Sequence, residues 1–120
     1  MARVLVVDDE SGICELIQMA LKMKGHDVRY ATTGADGLTQ FNEFSPDLVL
    51  LDLTLPDMDG SELARQIKSS GKGKSTPILL ISGRLISQSE LDQSLYAGML
   101  EKPFSISKLN TEVEKYLKKA

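Results

Sequence analysis

Three continuous apolar runs, Val4–Val7, Leu48–Leu51 and Ile78–Ile81, constrain this chain more than anything else in it. Each is built from Val, Ile and Leu, and each is too short for a helix. A run without polar alternation has two faces to bury, which marks a strand of a parallel sheet covered on both sides. The predicted strands are Val4–Val7, Asp27–Ala31, Leu48–Asp52, Pro77–Ser82 and Gly98–Glu101. Between them the period changes to that of a helix. Ile13, Leu16, Ile17, Ala20 and Leu21 share one helical face, and Gly25 supplies a stop. Ala35, Leu38 and Phe41 make a stripe over Gly34–Phe44, which Ser45-Pro46 breaks. Leu63, Ala64 and Ile67 make another in a helix starting near Gly60. Ser87–Ala97 reads as a weaker helix with Leu91 and Leu95 on one side. In the last helix Ser105 is the N-cap, Phe104 is placed to staple onto Leu109, and Ile106, Leu109, Val113 and Leu117 face inward.

Strand and helix therefore alternate throughout, which predicts an α/β fold: a five-stranded parallel sheet with five helices on its two faces. Right-handed crossovers restrict it to a few doubly wound orders. At 120 residues the chain is expected to form one domain, 1–120, with a core of its own. A net charge of -3 leaves no basic surplus for phosphate backbones, so direct nucleic-acid binding is not expected. No apolar run reaches the length of a membrane span, no signal-peptide pattern follows Met1, and lone Cys14 suits a reducing compartment. A cytoplasmic location is the expectation. Cys14 itself reads as a core filler, and His26, after Gly25, as a solvated turn residue on the rim away from any site.

In open parallel sheets, functional groups collect beyond the carboxyl ends of the strands, beside the switch point. Here those ends carry Asp8 and Asp9, Asp52, Ser82 and Lys102. In the flavodoxin-like order 2-1-3-4-5, strands one and three are neighbours, so Asp8, Asp9 and Asp52 converge. Converging carboxylates repel one another, and a hard divalent cation relieves this. All-oxygen ligands select Mg²⁺, with Mn²⁺ as the alternative. Lys102 adds a cation for an anionic oxygen and Ser82 a hydroxyl. Together these are parts for phosphoryl transfer to a carboxylate. Each has an ordinary reading when taken alone. Acids at a helix start suit the dipole, Ser82 can be a plain strand-end hydroxyl, and Lys102 a surface lysine. Four of the five strands ending in matching groups on one rim outweigh those readings.

The combination of Val-Val-Asp8-Asp9-Glu10, Asp52-Leu-Thr-Leu-Pro56-Asp-Met-Asp-Gly60, Ile81-Ser82-Gly83 and Lys102-Pro103-Phe104 resembles the receiver domains of two-component response regulators. The likeness runs from Arg3 to the last helix. It implies that Asp52 is the phospho-acceptor, taking a phosphoryl group from a sensor histidine kinase or histidine phosphotransfer protein. It implies that Asp9 ligates Mg²⁺ directly, Asp8 through water, and Thr54 through its backbone carbonyl, alongside Asp52. Ser82 and Lys102 would meet phosphoryl oxygens, and Gly83 would leave the acceptor accessible. Lys102-Pro103 would be a cis peptide bond. The implied output is a changed surface over the fourth predicted helix, the fifth strand and the last helix, read by a downstream protein or an output domain. Such a domain is a signalling module and not an enzyme beyond its own phosphorylation and dephosphorylation. One departure stands out. Most receivers carry Tyr or Phe three residues before the lysine, where this chain has Met99, and Tyr96 is out of register.

Three other readings bear on these residues. A receiver-like interaction module that ignores phosphorylation is compatible with Met99. A haloacid-dehalogenase-like phosphohydrolase uses a similar residue set, but its Asp-x-Asp motif is absent: Asp8 and Asp9 are adjacent, and Asp52 precedes Leu53-Thr54. A flavin site would set three acids against the flavin phosphate.

Overall fold

The computed structural model describes residues 2–83 and 91–117. The elements are β1 (Arg3–Val7), α1 (Ser11–Lys22), β2 (Asp27–Ala31), α2 (Gly34–Phe44), β3 (Leu48–Asp52), α3 (Gly60–Ser69), a 3-10 turn (Gly73–Ser75), β4 (Ile78–Ser82), β5 (Gly98–Glu101) and α4 (Ile106–Leu117). The strands form one parallel sheet in the order β2-β1-β3-β4-β5. This is the flavodoxin-like order.

Alternation along the strands builds two cores. Leu5, Val7, Val49, Leu51, Ile78 and Leu80 point to the side where Phe41, Leu63, Ala64 and Ile67 pack from α2 and α3. Val4, Val6, Leu48, Leu50, Leu79 and Ile81 point to the side of α1 and α4, against Ile17, Leu21, Leu109 and Val113. That is why the central strands are apolar along Val4–Val7, Leu48–Leu51 and Ile78–Ile81: both faces of the sheet are covered there.

Local signals explain the ends. Gly25 takes φ +90 after α1, a conformation that costs a Cβ-bearing residue energy. Ser45 adopts the left-handed conformation after α2, just before Pro46. The Ser105 hydroxyl accepts the Lys108 N–H at 3.0 Å, and Phe104 and Leu109 join the same cluster, so the predicted cap and staple are both present.

Four expectations are corrected. Leu16 and Ile106 are exposed, whereas Cys14 is a buried core residue as expected. Part of the predicted fourth helix, residues 84–90, lies outside the described residues. The described remainder is a turn, in which the Leu95 and Tyr96 N–H groups both donate to the Asp92 carbonyl at 3.0 and 2.9 Å. Among the described residues there are thus four helices, not five. Leu91 and Leu95 are buried as expected, but an i, i+4 apolar pair is served equally well by a tight turn. Finally, His26 is not solvated: its side chain is 9% exposed. Its Nδ1 accepts the Ala2 N–H at 3.3 Å, which leaves Nε2 to donate to Glu114 Oε1 at 2.9 Å.

Candidate functional site

The register places the rim residues. Val7 pairs with Leu51, so Asp8 and Asp52 end their strands level with each other. Asp52 pairs with Ile81, and Ser82 with Glu101, so Ser82 and Lys102 each lie one step further along the same rim. The Lys102 N–H donates to the Ser82 carbonyl at 2.7 Å, continuing the ladder past β5. The next bond, Lys102-Pro103, is cis, as the resemblance implied.

Lys102 is the hub. Its Nζ lies 2.7 Å from Asp8 Oδ2, 3.2 Å from Glu10 Oε1 and 3.3 Å from Asp52 Oδ2. The contact with Asp8 is the shortest of the three, a charge-assisted pair with a buried carboxylate oxygen. Asp8 Oδ1 accepts the Glu10 N–H at 2.9 Å. Burial pushes the Asp8 carboxyl above its ordinary pKa, the like charge of Asp52 adds to this, and Lys102 and the Glu10 N–H only partly offset it. Burial by itself pulls the Lys102 ammonium down, but Asp8, Asp52 and Glu10 outweigh it, so its pKa is raised overall. Both directions describe one crowded site: an ammonium held by several carboxylates, the most buried of which loses its proton less readily than a free one.

The other predicted residues fall around this hub. Asp9 is exposed beside Asp8, and oxygens of Asp8, Asp9 and Glu10 lie within 4.8 Å of one another. The Thr54 N–H donates to Asp52 Oδ1 at 3.4 Å, tying the start of the loop to the carboxylate. Ser82 is buried at the end of β4, and a Cβ at Gly83 would meet nothing within 4 Å. The loop after Asp52 folds back on itself, with the Gly60 N–H donating to the Leu53 carbonyl at 2.7 Å. A Cβ at Gly60 would run into the Asp52 carbonyl and the Leu53 backbone, so glycine is required there.

Three acids were not assigned roles by sequence reasoning. Asp59 caps α3, accepting the Ser61 N–H at 3.3 Å, a role that an Asp directly before the helix start does signal. Asp57 reaches across to α2, where its two oxygens accept the Gly34 and Ala35 N–H groups at 2.7 and 2.9 Å. Thr33 accepts the Asp36 N–H at 3.1 Å, so α2 has its first donors satisfied. Glu10 meets Lys102 across 92 positions of sequence, a distance over which no local pattern speaks.

Met99 is half-buried against the α2–α3 core. Tyr96 is 5% exposed in the same core, and its hydroxyl has no hydrogen-bond partner. Burial pushes that hydroxyl up to about 12.

A doubly wound sheet with carboxylates and a lysine meeting beyond β1 and β3 defines an α/β domain built around an acidic pocket. The chain belongs to the response regulator receiver domain family, which matches residues 4–114. It is 35% identical over 123 residues to the transcriptional regulatory protein TrcR of Mycobacterium tuberculosis. That match covers 98% of this chain and 46% of TrcR, so the chain spans about half the length of this curated relative. The chemotaxis response regulator CheY4 of Vibrio cholerae is similar at 27% identity and a TM-score of 0.90, over 97% of this chain and 98% of CheY4. NtrX of Brucella abortus is similar at 32% identity and a TM-score of 0.89, over 98% of this chain and 28% of that one. Among the described residues, no helix is long and apolar enough to cross a membrane.

Proposed function

We propose that Asp52 accepts a phosphoryl group from a phosphohistidine on a sensor kinase or histidine phosphotransfer protein, in a Mg²⁺-dependent reaction. An Asp52 carboxylate oxygen forms the new O–P bond as the P–N bond to the donor imidazole breaks, and the imidazole leaves to take up a proton. The observation that carries this reading is the Asp52 carboxylate at the open end of β3, with Oδ2 3.3 Å from an ammonium. Lys102 is placed to meet a phosphoryl oxygen there, and Ser82 is the hydroxyl on the same rim.

The donor set fits the implied metal. Asp8, Asp9 and Glu10 bring carboxylate oxygens within 4.8 Å of one another, and an all-oxygen set suits a hard divalent cation. Asp8, Asp9 and Asp52, with the Thr54 carbonyl, would hold Mg²⁺ or Mn²⁺, which supplies charge neutralisation during transfer when bound. The lysine already draws carboxylates together, so the protein's own part is pre-organisation.

In this reading 1–120 acts as one cytoplasmic receiver domain. Its phosphoaspartate alters the surface of β5, α4 and the segment before them, which a downstream protein or an output domain reads. Residues 84–90 of that surface lie outside the described residues. Phosphotransfer from candidate kinases to the wild type and to Asp52→Asn tests the proposal: label on the wild type alone is expected, and label retained on Asp52→Asn sinks it. One observation favours the interaction-module alternative, namely Met99 packed in the place of the usual aromatic. An acyl phosphate that leaves partner binding unchanged would select that alternative.

A further inference from the structure

Glu10 occupies the N-cap position of α1, with extended backbone at φ -93 and ψ 102. Its carbonyl accepts the Ile13 and Cys14 N–H groups, as an N-cap carbonyl should. Its side chain makes no cap hydrogen bond. Ser, Thr, Asp and Asn are the residues that serve there, because a short side chain folds back onto the first turn. The carboxylate of Glu10 instead extends to Lys102 Nζ at 3.2 Å. Asp8 fixes its origin by accepting the Glu10 N–H.

The three carboxylates around that ammonium differ in access to water. The side chain of Asp8 is 0% exposed, that of Asp52 11% and that of Glu10 63%. A pair with a solvent-facing partner is weak and easily exchanged. The buried Asp8 pair is not.

We infer that Glu10 is a positioning residue for Lys102: it draws the ammonium toward the mouth of the site in the resting domain and competes for it with the phosphoryl group on Asp52. The inference rests on the receiver reading above. The direction of the effect follows from the geometry. Lys102 Nζ is shared between Glu10 at 3.2 Å and Asp52 at 3.3 Å, so a phosphoryl group on Asp52 draws on an ammonium that Glu10 already engages, and Glu10 opposes the phosphorylated state. Asp8, which is buried and closer, holds the lysine in either state.

The test uses Glu10→Gln and Glu10→Asp in the full chain. Glutamine removes the charge. Aspartate keeps it but is shorter by one carbon–carbon bond, about 1.5 Å, and so loses its reach to Lys102. Side-chain NMR of Lys102 in metal-free protein reads the resting contact, and both variants should shift its Cε resonances. The rate of phosphorylation by phosphoramidate at saturating Mg²⁺, followed by intact mass, reads the competition. Both variants should react faster by about 1.5- to 5-fold, the range of an exposed ion pair. An Asp variant with wild-type rate beside a faster Gln variant would show that charge alone matters and overturn the inference, as would an unmoved Lys102 resonance. A wild type that takes no phosphoryl group removes the receiver reading and the competition together. A phosphorylated wild type with equal rates in all three proteins removes the inference alone.

Discussion

Replacing Lys102 by Met keeps the aliphatic stem and removes the one cation that Asp8, Asp52 and Glu10 share. The contribution of Glu10 is small, because it is exposed. That of Asp8 is not, because its carboxylate is wholly buried and would be left facing Asp52 with no counter-charge among the described residues. Breaking a buried pair from one side costs about 3–5 kcal/mol, and the open mouth of this site argues for the lower end, about 3 kcal/mol. With an unfolding entropy of about 2.1 cal/mol/K per residue, a chain of this length loses about 12 °C of melting temperature. The pH dependence has a definite sign. Burial already raises the Asp8 pKa above 3.8, and losing Lys102 removes an influence that lowers it. A carboxyl whose folded pKa exceeds its unfolded one binds its proton more tightly in the folded state. Its penalty is therefore present at neutral pH and fades as pH falls through the folded pKa toward 3.8. Urea denaturation of wild type and Lys102→Met at pH 7 and about pH 4.5 measures both effects. A deficit below about 1 kcal/mol at pH 7, the level of a surface pair, would refute the account of the hub. So would a deficit that widens on acidification.

Other residues make separate tests. Tyr96→Phe deletes a buried hydroxyl without a partner and should stabilise the domain by about 1 kcal/mol. That is a rise of about 4 °C by calorimetry, and a fall of that size would mean that the hydroxyl is bonded. Asp57 has its pKa lowered by the Gly34 and Ala35 N–H groups, so its stabilisation is present above 3.8 and is lost as pH falls through the folded value. Asp57→Asn should thus unfold at lower urea than wild type at pH 7, with the two midpoints converging as pH falls below the folded value; equal midpoints at pH 7 would show that the cap contributes nothing.

Much of the fold was legible because its signals are short-range. The boundaries of β2, α2, β3 and β5 follow from period changes and from breakers such as Ser45-Pro46. The reading failed where two structures serve one pattern. Leu91 and Leu95 needed burial, and a turn around Asp92 provides it as well as a helix. Leu16 fits the helical stripe with Ile13 and Ile17, yet α1 leaves it exposed while Cys14, Ile17 and Leu21 are buried. His26 looked solvated because its partners, Ala2 and Glu114, are remote in sequence.

For the site, the sequence by itself determined which chemistry the rim can carry. Strands that end in Asp8, Asp52, Ser82 and Lys102 deliver those groups to one edge, because parallel strands joined by right-handed crossovers all point the same way. The tertiary structure decided how the charges are shared. It sent Asp57 to the start of α2 and Asp59 to the start of α3, and it turned Glu10 away from its own helix to Lys102. Those choices depend on distances and burial between segments far apart in the chain. An electrostatic interaction has no sequence period, and its strength is set by the water that the fold excludes.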